Sequence, residues 1–82
     1  MKSIQPIFKY SKNTNIICEC YDGYKIWYLN GKFHREDGPA VEFANGTKDW
    51  FLNGYPYSKK DYYKELVKRG IMTYEEAVLE VL

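Results

Sequence analysis

The feature that most constrains this chain is that it repeats itself. Residues 18–34 align without a gap on residues 41–57, an offset of 23. Identical pairs are Glu19/Glu42, Gly23/Gly46, Lys25/Lys48, Trp27/Trp50, Leu29/Leu52, Asn30/Asn53 and Gly31/Gly54. A period this short marks a supersecondary unit that buries its apolar face only against a neighbouring copy.

Each copy reads as a β-hairpin. Asp22-Gly23 and Asn45-Gly46 are dipeptides suited to a two-residue type I′ turn, in which both central residues need positive φ. That turn predicts Cys18 opposite Trp27 and Val41 opposite Trp50, with Glu19 and Glu42 on the other side of the sheet. The expected core face is Cys18, Trp27, Leu29, Val41, Trp50 and Leu52. The same register sets Glu42 against Asp49, an unfavourable pair unless a cation lies near. Asn30-Gly31 and Asn53-Gly54 supply a second tight turn in each copy, so the sheet continues as a meander, and residues 7–10 are expected as a further strand before a polar turn at residues 11–15.

After Pro56 the apolar period lengthens. Ser58 followed by Asp61 predicts a helix N-cap, and Tyr62, Tyr63, Leu66 and Val67 then share one face until Gly70 ends the helix. Thr73 and Glu76 form a second capping box, with Tyr74, Ala77, Val78 and Val81 along one side of a terminal helix. The predicted fold is a single α+β domain: an antiparallel meander over residues 1–57, then two short helices over residues 58–82 that cover the Trp face.

Charge narrows the function classes. Lys+Arg number 12 against Asp+Glu 11, a formal net charge of +1, so no basic footprint for nucleic acid stands out. The local run Lys59, Lys60, Lys64, Lys68 and Arg69 alternates with Asp61 and Glu65 and reads as a solvated helix face. The N-terminal residues lack the apolar run of a signal peptide, and no segment reaches bilayer-spanning length, which predicts a cytoplasmic protein without membrane association. Cys18 and Cys20 would sit about 6.6 Å apart on an extended strand, near the upper limit for a disulfide, and are expected as reduced core thiols. With one His in the chain they lack companions for a metal site. No cofactor is expected.

Residues 34–40, His-Arg-Glu-Asp-Gly-Pro-Ala, gather the most reactive side chains. His34 as a base and Arg35 as an anion clamp would suit catalysis, yet the chain offers neither a nucleophile beside them nor a phosphate cradle. Asp-Gly-Pro is a turn signal, and Arg35 with Asp37 is expected as a surface ion pair of little energetic weight. A non-enzymatic reading is favoured.

The string from Trp27 to Ala40, followed by Asn45-Gly46 and residues 50–54, resembles the repeat W-x-x-N-G-x-x-H-R-x-D-G-P-A. It is similar to variant MORN-type repeats, found in small proteins of tailed phages and their bacterial hosts. The likeness covers residues 18–57. It implies a hairpin architecture and a phage setting, but no established activity. Copy two departs from the repeat at residues 57–60, which implies a capping end to a short array and speaks against His34 and Arg35 being half of a paired site.

Aromatic residues make up 18% of the chain, with nine Tyr, and such rings offer large apolar area at low entropic cost in binding surfaces. Register puts Tyr21, Tyr24, Ile26 and Tyr28, with Ile17, on the face away from the indoles. The expected function is a protein-binding module that uses Tyr21, Tyr24, Ile26, Tyr28, His34 and Arg35. In a phage it would be an accessory protein blocking a host enzyme or defence complex, for example of anti-CRISPR or anti-restriction type. The alternative is a nucleotide or single-stranded nucleic-acid binder, with Tyr stacking on bases and Lys25, Lys48 and Arg35 on phosphate. Unpaired sheet edges leave homo-oligomerisation open under either.

Overall fold

The computed structural model describes residues 15–82, so the strand expected at residues 7–10 and most of the turn after it lie outside the described residues. Six strands, β1 (Ile17–Tyr21), β2 (Tyr24–Leu29), β3 (Lys32–Phe33), β4 (Val41–Phe43), β5 (Lys48–Leu52) and β6 (Tyr55–Tyr57), precede two helices, α1 (Lys59–Lys68) and α2 (Tyr74–Val81). The strands form one antiparallel sheet in the order β1-β2-β4-β5-β6, with β3 also on β2. Copy one supplies β1 to β3 and copy two β4 to β6, an α+β meander followed by two helices.

The type I′ turns fall at the second turn dipeptide of each copy, Asn30-Gly31 and Asn53-Gly54. Asn30 and Asn53 both have φ of 53°, and Gly31 and Gly54 follow at 77° and 80°. Asn takes this left-handed conformation more cheaply than most residues, and glycine does so without steric penalty. Asp22 and Asn45 do not: among the described residues Asn30 and Asn53 are the only non-glycines at positive φ.

The Asn45-Gly46 turn therefore differs from expectation. Phe43 N–H donates to the Thr47 carbonyl at 2.8 Å and Gly46 N–H to the Phe43 carbonyl at 2.9 Å. This is a three-residue loop with Gly46 as its left-handed residue, at φ 93°. The extra residue shifts the pairing by one, so Val41 faces Asp49 and Glu42 faces Lys48. Val41 thus leaves the predicted core face and pairs with Ile26 on the tyrosine side, while Glu42 pairs with Lys25 on the tryptophan side. The feared Glu42–Asp49 opposition does not arise. Extended by one step, these registers set Ala40 between Trp27 and Trp50 in a single row, and Trp27 N–H donates to the Ala40 carbonyl at 2.8 Å. Without the shift, Trp50 would have turned to the opposite face.

The helix signals are realised as written. The Ser58 hydroxyl accepts from Asp61 N–H, and Thr73 with Glu76 completes a reciprocal capping box. Past Arg69, Gly70 at φ 75° ends α1. Gly70 N–H donates to the Val67 carbonyl and Ile71 N–H to that of Leu66, the paired bonds of a Schellman stop.

The core is two clusters rather than one. Leu52, Tyr62, Tyr63, Leu66 and Ala77 form the larger, with Trp50 against it. Ile16, Trp27 and Ala40 form the smaller. Helix α1 packs on the sheet: the Trp50 ring lies 5.0 Å from that of Tyr62 and 5.6 Å from that of Tyr63. The terminal helix packs on α1 and buries Ala77 alone, leaving Tyr74 and Val81 exposed where a full apolar face was expected.

Burial of the two α1 tyrosines makes stability sensitive to alkali. Loss of hydration pushes the Tyr63 phenol up to about 12, with the nearby carboxylates of Glu80 and Asp37 adding to the effect, and burial raises Tyr62 as well. An unfolded tyrosine releases its proton near pH 10. Above that pH the unfolded chain binds fewer protons than the folded one, so stability is full below about pH 10 and falls as the pH rises toward 12. Urea midpoints measured from pH 8 to 12 should show this decline, and Tyr63→Phe should flatten it relative to wild type.

Candidate functional site

The loop bearing His34 and Arg35 exists because β3 and β4 occupy the same edge of β2. Lys32 and Phe33 pair with Leu29 and Tyr28, while Val41 to Phe43 pair with Ile26 to Tyr24. Residues 34–40 must leave that edge and return to it, and their side chains hold the excursion in place.

His34 is 2% exposed. Its Nδ1 accepts the backbone N–H of Asn53 at 2.8 Å, within the type I′ turn of copy two. The remaining ring proton then resides on Nε2, which donates to Glu36 at 2.8 Å. The histidine therefore ties the loop to the turn between β5 and β6. Copy two has Tyr57 at the matching position, which packs against the larger cluster instead.

Arg35 makes more contacts still. Its Nε donates to Asp37 at 2.8 Å, and Nη1 donates to Glu42 at 2.6 Å and to the Pro39 carbonyl at 3.1 Å. The guanidinium lies 4.0 Å from the centre of the Trp27 ring. A planar, permanently charged fork is the side chain suited to bonding two carboxylates while stacking on an indole. Arg35 and Asp37 are 16% and 9% exposed, so this is no surface pair. Removing one partner from such a network leaves a desolvated charge behind.

Gly38 and Tyr62 close the arrangement. A Cβ on residue 38 would lie 2.9 Å from Arg35 Cζ, so only glycine lets the loop pass over the guanidinium. The Tyr62 hydroxyl donates to the Arg35 carbonyl and accepts from Gly38 N–H at 3.2 Å, binding the loop to α1. Every member of the His-Arg-Glu-Asp-Gly-Pro-Ala string whose chemistry invited a catalytic reading has a partner inside the fold. Two members of the expected binding set, His34 and Arg35, are thus held by bonds inside the fold.

The other four expected residues do come together. Tyr21, Tyr24, Ile26 and Tyr28 lie on the sheet face opposite the indoles, joined there by Phe33, Phe43, Phe51, Val41 and Ile17. Tyr21 and Tyr24 stack at 4.8 Å, Tyr24 meets Phe43 at 6.1 Å, and Tyr28, Phe33 and Phe51 follow at 5.6 and 5.0 Å. Tyr21, Tyr24, Phe33 and Phe43 are 49%, 36%, 37% and 40% exposed. Phe33 follows directly from a type I′ turn at Asn30-Gly31, a signal present in the sequence but not used to place it. Phe43 sits opposite Tyr24, a β2–β4 pairing that no local signal supplies.

Charge is distributed unevenly over the two faces. Glu19, opposite Ile26, and Asp49, opposite Val41, lie on the aromatic face. Lys25 and Lys48 flank Glu42 on the tryptophan face. Tyr21 donates to Glu19 at 2.6 Å, a bond that pushes its phenol up to about 12. Cys18 and Cys20 stand with their sulfurs 4.0 Å apart and unbridged. Burial, then the neighbouring Cys20, pushes the Cys18 thiol up to about 11, which disfavours the thiolate that a metal or an electrophile would need. Among the described residues no group of three or more His, Cys, Asp or Glu is placed to hold a metal ion.

Comparison with family models, curated proteins and solved structures finds no match to this chain.

The loop predicts a specific coupling. Gly38→Ala should destabilise the fold by about 1–3 kcal/mol, because the new methyl displaces a guanidinium held from three sides. In an Arg35→Ala background the same change should cost little, giving a coupling of roughly 1 kcal/mol or more in urea unfolding. Equal costs in both backgrounds would refute the arrangement.

Proposed function

We propose that this chain is a non-enzymatic protein-binding module whose aromatic sheet face, centred on Tyr21, Tyr24, Ile26 and Tyr28, seats a partner protein. The observation that carries this reading is the continuous row of rings from Tyr21 through Tyr24 to Phe43, partly exposed on the face away from α1. Rings of this kind dominate binding energy because each adds area with few rotatable bonds. Glu19 and Asp49 on the same face favour a partner that sets Lys or Arg among its apolar side chains. Phe33 and Phe43 extend the surface, while His34 and Arg35 act beneath it as fixed supports.

The repeat resemblance adds a setting. In a phage, the partner would be a host enzyme or a defence complex that the bound module blocks, as anti-CRISPR or anti-restriction proteins do; in a bacterium it would be a protein of the cell itself. Action in the cytoplasm fits either setting, and no described helix is long and apolar enough to cross a membrane. Nucleic-acid capture is disfavoured because a backbone-tracking groove needs cations beside its stacking rings, and Lys25 and Lys48 lie across the sheet from the tyrosines.

Affinity capture from a host lysate with wild type and a Tyr21→Ala/Tyr24→Ala variant tests this. These rings are exposed and stack on one another, so the variant should keep its unfolding midpoint while losing a specifically recovered partner. Equal recovery from both would count against this face. Salt-dependent quenching of tyrosine fluorescence by oligonucleotides would favour the nucleic-acid reading, and a concentration-dependent dimer abolished by the variant would make the partner a second copy.

A further inference from the structure

The apolar stripe of α2 is left half open. The link over residues 69–73 folds this helix back on α1 as an αα-hairpin, with Ala77 in the cluster of Tyr62, Tyr63 and Leu66. Beside that contact runs a groove of about 260 Å³. Its α1 wall is Lys60, Tyr63, Lys64 and Val67, and its α2 wall repeats the spacing with Tyr74, Ala77, Val78 and Val81. Positions i, i+3, i+4 and i+7 form one stripe on a helix, so two such stripes side by side make a seat for a third, amphipathic helix. Tyr74 and Val81 are 70% and 42% exposed, so the seat is open in the single chain.

Charge says which helix fits. The cations on the groove are Lys60 and Lys64, both exposed and both on α1, a helix with four lysines against two acids. Helix α2 carries three glutamates and no cation. Glu76 is engaged in the capping box, while Glu75 stands exposed in the first turn. Among the described residues neither lysine nor Glu75 enters an ion pair. The helix that suits this groove therefore has apolar residues at i, i+4 and i+7 with an acid beside them. Tyr74, Val78 and Val81 with Glu75 meet that description, which makes α2 its own best occupant.

We propose that two copies of this chain associate through their helical hairpins, the α2 of each lying in the α1–α2 groove of the other to form a four-helix bundle. A two-fold axis across the helices sets the two α2 segments antiparallel and buries both open stripes at once. In an αα-hairpin, a helix antiparallel to α2 is parallel to α1. The first turn of the incoming α2, with its Glu75, then meets the half of α1 that bears Lys60 and Lys64. A parallel arrangement would carry Glu75 to the Val67 end instead, so charge selects the antiparallel one. The interface is on the helical side and leaves the row from Tyr21 to Phe43 open, so it stands whether or not that row seats a partner.

The test is sedimentation equilibrium of the full chain from micromolar to millimolar concentration. Wild type should pass from monomer to dimer with a micromolar Kd, the range of a small interface, and the Kd should rise with salt. Lys60→Glu/Lys64→Glu and Glu75→Lys should each weaken the dimer by about tenfold, because symmetry counts every exposed pair twice. An equimolar mixture of those two variants should recover association close to that of wild type, since opposite charges then meet at both contacts. Tyr74→Ala should weaken the dimer without lowering the unfolding midpoint of the dilute monomer, and Tyr21→Ala/Tyr24→Ala should leave it intact. The proposal is overturned if wild type stays monomeric at millimolar concentration, if the charge reversals change nothing, if their mixture fails to associate, or if the Tyr21/Tyr24 variant abolishes the dimer. A monomer that binds dodecanoate saturably, and loses it in Lys60→Glu/Lys64→Glu, would give the groove to a small anionic amphiphile instead.

Discussion

The guanidinium of Arg35 is the point on which the middle of this molecule turns. It stacks on Trp27, bonds Asp37 and Glu42, and holds the Pro39 carbonyl, so one side chain joins β2, β4 and the loop between β3 and β4. Such a charge leaves water only where its partners are arranged in advance. Asp37 and Pro39 are supplied locally and Glu42 by the following strand. Gly38 is what the close approach requires. The smaller cluster, Ile16, Trp27 and Ala40, could not otherwise be closed on the loop side, because α1 reaches only the Trp50 half of the sheet.

That division of labour explains why the sheet has two unlike faces. Where copy one ends, an Arg-centred loop covers the indole. Where copy two ends, the corresponding segment becomes α1, and the covering groups are Tyr62 and Tyr63. The two covers are bonded to each other through the Tyr62 hydroxyl. Both lie on the tryptophan side, so neither shields the row from Tyr21 to Phe43. The aromatic surplus of the composition thus splits into rings that close the core and rings, Tyr21, Tyr24, Phe33 and Phe43 among them, that are partly exposed on the opposite face among the described residues. Copies with the same Trp-x-Leu-Asn-Gly signature need different lids because one copy must continue into the next and the other must end.

Local signals carried most of the architecture. Ser58, Thr73 with Glu76, and Gly70 act within a few residues of themselves, and each cap formed where the sequence placed it. The β1–β2 register, with Cys18 opposite Trp27, was legible for the same reason. What escaped was non-local or degenerate. Asn-Gly suits a two-residue turn and also a three-residue loop with glycine left-handed, and the difference between them moves Val41 from one face to the other. The parts played by His34 and Arg35 depend on Asn53, Tyr62 and Trp27, partners that no motif within the loop names. Their chemistry looked functional because buried, paired ionisable groups and catalytic ones are drawn from the same residue types.

Amide hydrogen exchange measures the locked loop most directly, because the backbone N–H groups of Asn53 and Gly38 bond to His34 and Tyr62 rather than to strand neighbours. If the loop is a fixed support, both amides exchange only through global unfolding, at the rate of the Leu66 amide in the middle of α1. Exchange at the rate of an exposed turn would mean that the loop opens on its own, and Arg35 could not then be the anchor that closes the Trp27 half of the core.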